Sequence, residues 1–145
     1  NGSSWTEVSD LNDARAYPGG AGTATAAIAF GGSDFPGTTA NTESWNGSSW
    51  TETTDINTAR SYGRCMGIQN SALYFGGESP SKRETESWNG SSWTEVADLN
   101  TGRHQLSGAG SNTAGLAFGG RTPPTVAATE EWNAPASNTV TFTAS

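Results

Sequence analysis

The chain has 145 residues, enough for one domain with a hydrophobic core, and it contains 19 glycines and six tryptophans but only 14% charged residues. This composition is typical of an all-β, turn-rich protein and excludes a disordered chain, which would lack the tryptophans and the apolar runs. The formal net charge of −7 argues against nucleic-acid and anionic-membrane partners, which need a basic face. No apolar run approaches the roughly 18 residues of a membrane span.

The chain opens with NGSSWTEV, residues 1–8, and the motif NGSSW returns at Asn46 and at Asn89. We expect residues 1–8 to contain an extra outer strand, Ser4 to Val8, with no partner strand before it. The recurrence divides the remaining chain into three repeats of about 43–45 residues, approximately 9–53, 54–96 and 97–145.

An arginine near the start of each repeat precedes a weakly marked, Gly-rich first strand. The arginines are Arg15, Arg60 and Arg103, and acidic residues recur with them at Asp10, Asp55 and Asp98 and at Glu43, Glu86 and Glu130. A catalytic carboxylate pair is usually unique in a protein, whereas these groups are triplicated. We interpret them as structural ion pairs and leave open which acid pairs with each arginine.

A short apolar run predicts the second strand of each repeat, and a glycine pair ends it. The runs are Ala26–Phe30, Ala72–Phe75 and Gly115–Phe118, followed by Gly31 and Gly32, Gly76 and Gly77, and Gly119 and Gly120. Such runs predict fully buried strands. No phosphate-binding motif that opens a helix accompanies the glycines, so we interpret them as structural.

The loops after the glycine pairs differ most among the repeats and cover residues 33–41, 78–84 and 121–128. Differing loops on a repeated scaffold are where binding function usually lies. We predict that any ligand contacts these loops, and the predicted binding residues are Phe35, Lys82, Arg83 and Arg121. The alternative is sequence drift on an unused surface.

Tryptophans mark the third and fourth predicted strands of the repeats. In the first repeat these strands are Thr42–Trp45 and Trp50–Thr53, and the Asn-Gly step between them predicts a hairpin turn. The six tryptophans are Trp45, Trp88 and Trp132 in third strands and Trp5, Trp50 and Trp93 in fourth strands. A binding site seldom needs the same residue in every repeat. We therefore predict core positions rather than a sugar-stacking platform.

The last repeat departs from this pattern after Trp132. Ala134-Pro135-Ala136-Ser137 replaces the expected turn, and residues 139–143 alternate as a strand does. We predict that this tail closes the third repeat as its outer strand, with Val140 and Phe142 in place of tryptophan.

Four predicted strands in about 44 residues, repeated along the chain, are the signature of a β-propeller blade. The glycine pair, an aromatic about a dozen residues later and a tryptophan about five residues further on resemble the kelch motif. The stretch ESWNGSSWTEVADLNTGR, Glu86 to Arg103, is also similar to kelch-like repeats of marine phage and metagenomic proteins. The resemblance implies an all-β propeller of four-stranded kelch-like blades.

Three blades are fewer than the four to eight of a closed propeller, and uncovered end blades would leave apolar faces in water. We therefore expect either self-association, with three plus three blades about a two-fold axis, or upstream blades in a longer chain. Residues 4–8 would then pair with material outside the three blades of their own chain.

The chain has a single histidine, His104, and a single cysteine, Cys65. A metal site normally needs three or more ligands, and the copper site of propellers that resemble galactose oxidase uses two histidines. An inert, buried thiol fits Cys65 better than a nucleophile does. We therefore expect no catalytic residue, no metal and no cofactor.

The expected function is that of a non-enzymatic binding or structural module that recognises a glycan or a protein. Low charge and abundant serine and threonine suit an extracellular or virion surface, in a tail fibre, decoration protein or adhesin. The alternatives are a glycan-active enzyme domain and an assembly protein without a ligand.

Overall fold

The computed structural model describes residues 2–78 and 80–135. This part of the chain is all-β, without a helix, and forms three antiparallel sheets whose strands lie side by side in chain order. The first sheet contains β1 (Gly19–Thr23), β2 (Ala26–Phe30), β3 (Thr42–Trp45) and β4 (Trp50–Thr53). The second contains β5 (Arg64–Ile68), β6 (Ser71–Phe75), β7 (Thr85–Trp88) and β8 (Trp93–Val96). The third contains β9 (Ser107–Gly110), β10 (Ala114–Phe118) and β11 (Thr129–Asn133).

The all-β class is confirmed, and β2, β3 and β4 have the predicted bounds. The predicted hairpin turn also forms between β3 and β4. The Asn46 side-chain oxygen accepts hydrogen bonds from the backbone N–H groups of Ser48 (2.9 Å) and Ser49 (3.0 Å). Gly47 has a φ of 98°, which explains the glycine at this position.

Two predicted outer strands have different outcomes. Residues 4–8 form no strand, and Trp5 is fully exposed, at 103%. A strand needs a neighbour for its backbone hydrogen bonds, and no described strand lies beside this segment. The predicted tail strand, residues 139–143, lies outside the described residues, so the third sheet has three strands in the described part of the chain.

The first strands of the three sheets lie next to one another, since β1 contacts β5 and β5 contacts β9. Close packing explains why these strands are rich in glycine. A Cβ atom at Gly108 in β9 would lie 2.7 Å from the Phe75 ring of the second sheet. The weak strand signal in the sequence therefore reflects a lack of room for side chains.

The first hydrophobic core lies between the first and second sheets. Ile28 and Phe30 of β2 pack against Tyr74 of β6 and Trp93 of β8. The Phe30 ring meets the Tyr74 ring edge-on at 4.9 Å and the Trp93 ring at 4.7 Å between centroids. Ile56, from the connection between the sheets, completes this core.

A second core repeats this arrangement between the second and third sheets. Leu73 and Phe75 of β6 pack with Leu106 and with Ala117 of β10, and Leu99 takes the place of Ile56. The first and second sheets thus each present aliphatic and aromatic side chains of their second strand to the sheet that follows.

An arginine–glutamate ion pair joins the start of each repeat to the third strand of the same sheet. The pairs are Arg15–Glu43, Arg60–Glu86 and Arg103–Glu130, the last at 3.0 Å. In the first two pairs both side chains are fully buried. The partner left open by the sequence is therefore the third-strand glutamate of the same sheet.

An asparagine from the connecting segment completes each pair. Asn57 donates to Glu86 Oε2 from its backbone N–H (2.7 Å) and from its side-chain amide (2.8 Å). Asn12 and Asn100 make the same two bonds to Glu43 and Glu130. The repeated aspartates act elsewhere: Asp55 accepts from the Thr42 backbone N–H (3.0 Å) and Asp98 from that of Thr85 (3.2 Å).

The burial of the tryptophans depends on their place along the row of sheets. Trp45, Trp88 and Trp93 are buried, as expected for core residues. Trp50 and Trp132 are half-buried. The expectation of a core position is wrong for Trp5, because no sheet lies against it in the described chain.

The Trp93→Ala variant should lose about 3–5 kcal/mol of unfolding free energy, because the change removes the ring that packs on Phe30 and Trp88. Urea denaturation followed by circular dichroism measures this loss. Thr94→Ala, at the next and exposed position of β8, serves as the control and should change stability by less than about 0.5 kcal/mol. Equal stabilities of the two variants would contradict the packing described here.

The Glu86→Ala variant should lose about 3–5 kcal/mol, because it leaves the buried Arg60 guanidinium without its counter-charge. The double variant Arg60→Met/Glu86→Leu removes both charges and should lose less than Glu86→Ala alone. Denaturant midpoints of the three proteins test this order. A double variant less stable than Glu86→Ala would show that the charge pair is not the cause.

Candidate functional site

The three loops that follow the glycine pairs meet at one groove of about 690 Å³. The lining residues lie in loops and connections of all three repeats, and they are Tyr17, Ser33, Phe35, Pro36, Gly37, Thr38, Ser61, Tyr62, Glu78, Pro80, Ser81, His104 and Pro123. The segments most variable in sequence thus share one surface.

Each groove loop is held at its base by the residue that follows the repeated arginine. Ala16 and Ser33 exchange two backbone hydrogen bonds (2.8 and 2.7 Å), and His104 and Arg121 exchange an equivalent pair (3.2 and 2.9 Å). In the second repeat the Glu78 N–H donates to the Ser61 carbonyl at 2.9 Å. The ion pairs of the core therefore fix the base of the groove.

Three aromatic side chains, of which Tyr17 and Phe35 are exposed and Tyr62 is half-buried, form one part of the groove. Tyr17 and Tyr62 occupy equivalent positions, both in the left-handed region with φ of 55° and 57°. Their rings stack with centroids 3.9 Å apart and planes inclined by 23°. The third equivalent position, Gln105, shares this conformation (φ 52°). Phe35 projects into solvent from the first loop and is 89% exposed.

Neutral and negatively charged polar groups complete the groove. The Tyr62 phenol is protonated at neutral pH, and the hydrogen bond with Tyr17 raises its pKa further, to about 12. Ser81 Oγ lies 3.1 Å from His104 Nδ1, and Glu78 Oε1 lies 3.9 Å from His104 Nε2. His104 is buried, and the Glu78 side chain is 42% exposed.

The predicted binding residues lie in different environments. Phe35 lines the groove, whereas Lys82, Arg83 and Arg121 are not among its lining residues. Lys82 pairs with Glu84 (3.3 Å), and Arg83 donates from Nε to the Leu99 carbonyl (2.9 Å). Arg121 is exposed, with its backbone bonded to His104. Their role in binding stays a prediction.

Tyr17, Tyr62 and Ser81 are not among the predicted binding residues, although all three line the groove. A signal for the tyrosines was present, because each stands two residues after a repeated arginine. Ser81 gave no such signal, since its contact with His104 spans 23 residues and two sheets.

Among residues 2–78 and 80–135, no group of three or more His, Cys, Asp or Glu side chains is placed to hold a metal ion. No helix in this same part of the chain is long and apolar enough to cross a membrane. Cys65 is a partly buried free thiol whose Sγ contacts the backbone of Gly20, and burial raises its pKa. A protonated thiol is a poor nucleophile.

Comparison with known protein families finds no family model that matches the chain. A comparison with curated proteins finds no match either.

Proposed function

We propose that the three sheets are kelch-like propeller blades and that the groove on their loop face binds a ligand without chemical turnover. The blade assignment is supported by the strand order within each sheet, by the adjacent first strands, and by the glycine pairs that end β2, β6 and β10. A propeller commonly presents its variable loops on one face, which is where this groove lies.

The observation that carries the binding proposal is the stacked pair Tyr17 and Tyr62 beside the exposed ring of Phe35. Exposed aromatic rings offer apolar faces, and their hydroxyl groups remain able to hydrogen-bond. Ser33, Ser61 and Glu78 add hydroxyl and carboxylate groups to the same groove. This combination suits a glycan, whose rings have apolar faces and hydroxyl edges; a protein loop is the alternative ligand.

Charge further restricts the class of ligand. The chain has a formal net charge of −7, and the cations of the second loop are paired with Glu84 or bonded to backbone. A neutral glycan fits this surface better than a sulfated or phosphorylated one. We place such a module on a virion or another extracellular surface, as the low charge and the abundance of serine and threonine support.

The contacts of His104 favour a second candidate function, that of a glycan-active or other hydrolytic enzyme. A serine hydroxyl on one imidazole nitrogen and a carboxylate near the other are the groups of a nucleophile, a base and an orienting carboxylate, although Ser81 is on Nδ1 here and not on Nε2 as in a serine-protease triad. The 3.9 Å between Glu78 and His104 is longer than a hydrogen bond, and the Glu78 side chain is 42% exposed to solvent. We therefore rank binding above hydrolysis.

A glycan array probed with the chain should show binding to neutral oligosaccharides. Tyr17→Ala and Tyr62→Ala should each weaken that binding about two- to tenfold, since an aromatic contact contributes about 0.5–1.5 kcal/mol. Ile68→Ala changes another exposed apolar residue outside the groove and should bind as the unchanged chain does. Tyrosine variants that bind with unchanged affinity would place the ligand elsewhere.

Ser81→Ala separates the two candidate functions. If the groove only binds, this variant should retain at least about half of the affinity, because it loses a single hydroxyl that is already hydrogen-bonded to His104. Chromatography of the bound oligosaccharide after long incubation should show no shorter products with either protein. Product release by the unchanged chain that disappears in Ser81→Ala would instead establish the enzyme.

A further inference from the structure

A cavity of about 320 Å³ lies between the second and third sheets, beside Trp132. Its lining includes Met66, Leu73, Phe75, Leu99, Ala117 and Trp132. In the preceding interface the equivalent space is filled by Trp93, whose ring lies 5.2 Å from that of Trp88 and 4.7 Å from that of Phe30. Trp132 and Phe75 occupy the positions of Trp88 and Phe30, so the cavity has the place and the walls of a tryptophan site.

The tryptophan Trp5 belongs to neither of the two hydrophobic cores. Trp5 is 103% exposed and belongs to the segment NGSSWTEV, residues 1–8. This segment is identical at all eight positions to residues 89–96, which contain β8 and Trp93. The sequence that fills the tryptophan site of the second sheet is thus present a second time, and there its tryptophan ring is exposed.

We propose that residues 4–8 of a second copy of this chain add to the third sheet as its fourth strand and place Trp5 in the cavity. The pairing of β7 with β8 joins Trp88 to Trp93 and Ser87 to Thr94. The same register along β11 places Trp5 opposite Trp132 and Thr6 opposite Glu131. The edge of β11 that pairs with no strand among residues 2–78 and 80–135 is thereby covered.

The same placement brings the first sheet of the second copy onto the outer face of β10. Leu116 and Phe118 there are 43% and 39% exposed, whereas Leu73 and Phe75, their equivalents in β6, are each 1% exposed. The half-buried Trp50 would then pack on Phe118 as Trp93 packs on Phe30. The interface repeats the packing already present twice within the chain.

Polar groups on the two surfaces match as well. Within the chain, the aspartate that follows each fourth strand accepts a hydrogen bond from a threonine N–H of the third strand, as Thr42 and Thr85 show. The second glycine of a pair donates its N–H to the carbonyl of the next repeat's arginine. These bonds join Gly32 to Arg60 and Gly77 to Arg103, both at 3.0 Å. The docked arrangement supplies the corresponding partners. Asp10 meets the Thr129 N–H, and the Gly120 N–H meets the Arg15 carbonyl.

A second copy is required because residues 4–8 are held beside the first sheet of their own chain, whereas the cavity lies between the second and third sheets. Ser9 Oγ donates to the Ser48 carbonyl at 2.9 Å, and Asn12 is bonded to Glu43. Four residue steps from Ser9 to Trp5 reach at most about 14 Å. The cavity lies on the far side of the second sheet, so reaching it would mean passing the first and second sheets, roughly 20 Å at about 10 Å for each sheet.

The chain's own tail is the competing occupant of the β11 edge. It offers Val140 and Phe142 in its alternating stretch and no tryptophan, so it matches the cavity less well than residues 4–8 do. Because the contact joins different surfaces of the two copies, two copies that exchange their segments close a ring. The proposal is independent of the ligand in the groove.

Disulfide trapping tests the register directly. In a Cys65→Ser background, Thr6→Cys and Glu131→Cys would be cross-strand neighbours, and the roughly 4.5–5.5 Å between such Cα atoms suits a disulfide. Mild oxidation should give a covalent dimer of twice 15.0 kDa on a non-reducing gel. Either cysteine alone should leave monomers. A double variant that stays monomeric, or that cross-links within one chain, overturns the proposal.

Solution mass provides the second test. The unchanged chain should sediment as a dimer of twice 15.0 kDa, and Trp5→Ala should weaken dimerisation at least about tenfold. Thr6→Ala, its exposed neighbour, should not weaken it. Circular dichroism should show Trp5→Ala folded, because Trp5 contacts nothing in the single chain's packed cores. A monomeric unchanged chain at about 100 µM, or equal dimerisation of both variants, contradicts the exchange.

A mixing experiment tests whether the contact joins different surfaces. Trp5→Arg places a charge on the inserted strand, and Leu116→Arg places a charge on the face that receives the second copy. Each variant alone should therefore be monomeric. An equimolar mixture retains one intact contact and should form a heterodimer weaker than the unchanged dimer. A mixture that stays monomeric, while the unchanged chain dimerises, would show that like surfaces meet instead.

Discussion

The buried arginine–glutamate pair is the interaction on which each repeat depends. Arg60 and Glu86 are fully buried, and a lone charge at that depth is costly, so the two side chains must meet in the folded state. Asn57 then donates two hydrogen bonds to the second carboxylate oxygen. One carboxylate thereby fixes the connection from the preceding sheet, the start of its own repeat and the third strand.

The same ion pairs determine where the groove lies. The residue after each arginine bonds to the residue after the glycine pair, and the next residue turns into the left-handed region. At that position two repeats carry Tyr17 and Tyr62, and their rings stack. Residues 15–17 and 60–62 therefore each begin with an arginine of a buried ion pair and end with a tyrosine of the stacked pair. Variation in the loops changes the groove's chemistry without altering its support.

Repetition of one interface also explains the exposed surfaces. Each sheet offers aliphatic and aromatic side chains to the following sheet and tryptophans to the preceding one, so a row of three sheets leaves one surface of each kind uncovered. Phe118 and Leu116 form one such surface, and Trp5 and Trp50 belong to the other. The assignment of the sheets as propeller blades rests on the complementarity of these surfaces within the chain. The proposed exchange of residues 4–8 rests on the same complementarity between two copies.

The sequence by itself determined the all-β class, the bounds of β2, β3 and β4 and the Asn46 turn, because apolar runs, Asn-Gly steps and glycine pairs act through local backbone preferences. It did not determine that Arg60 pairs with Glu86 rather than Asp55, since both acids recur with the same period. Only the tertiary structure decided that choice, along with the meeting of Tyr17 and Tyr62 and the contact of Ser81 with His104. These contacts join residues 23 to 45 positions apart, and their distances depend on how the sheets pack. Trp5 shows the same limit: its motif predicts a strand, but a strand forms only where another edge is present to pair with it.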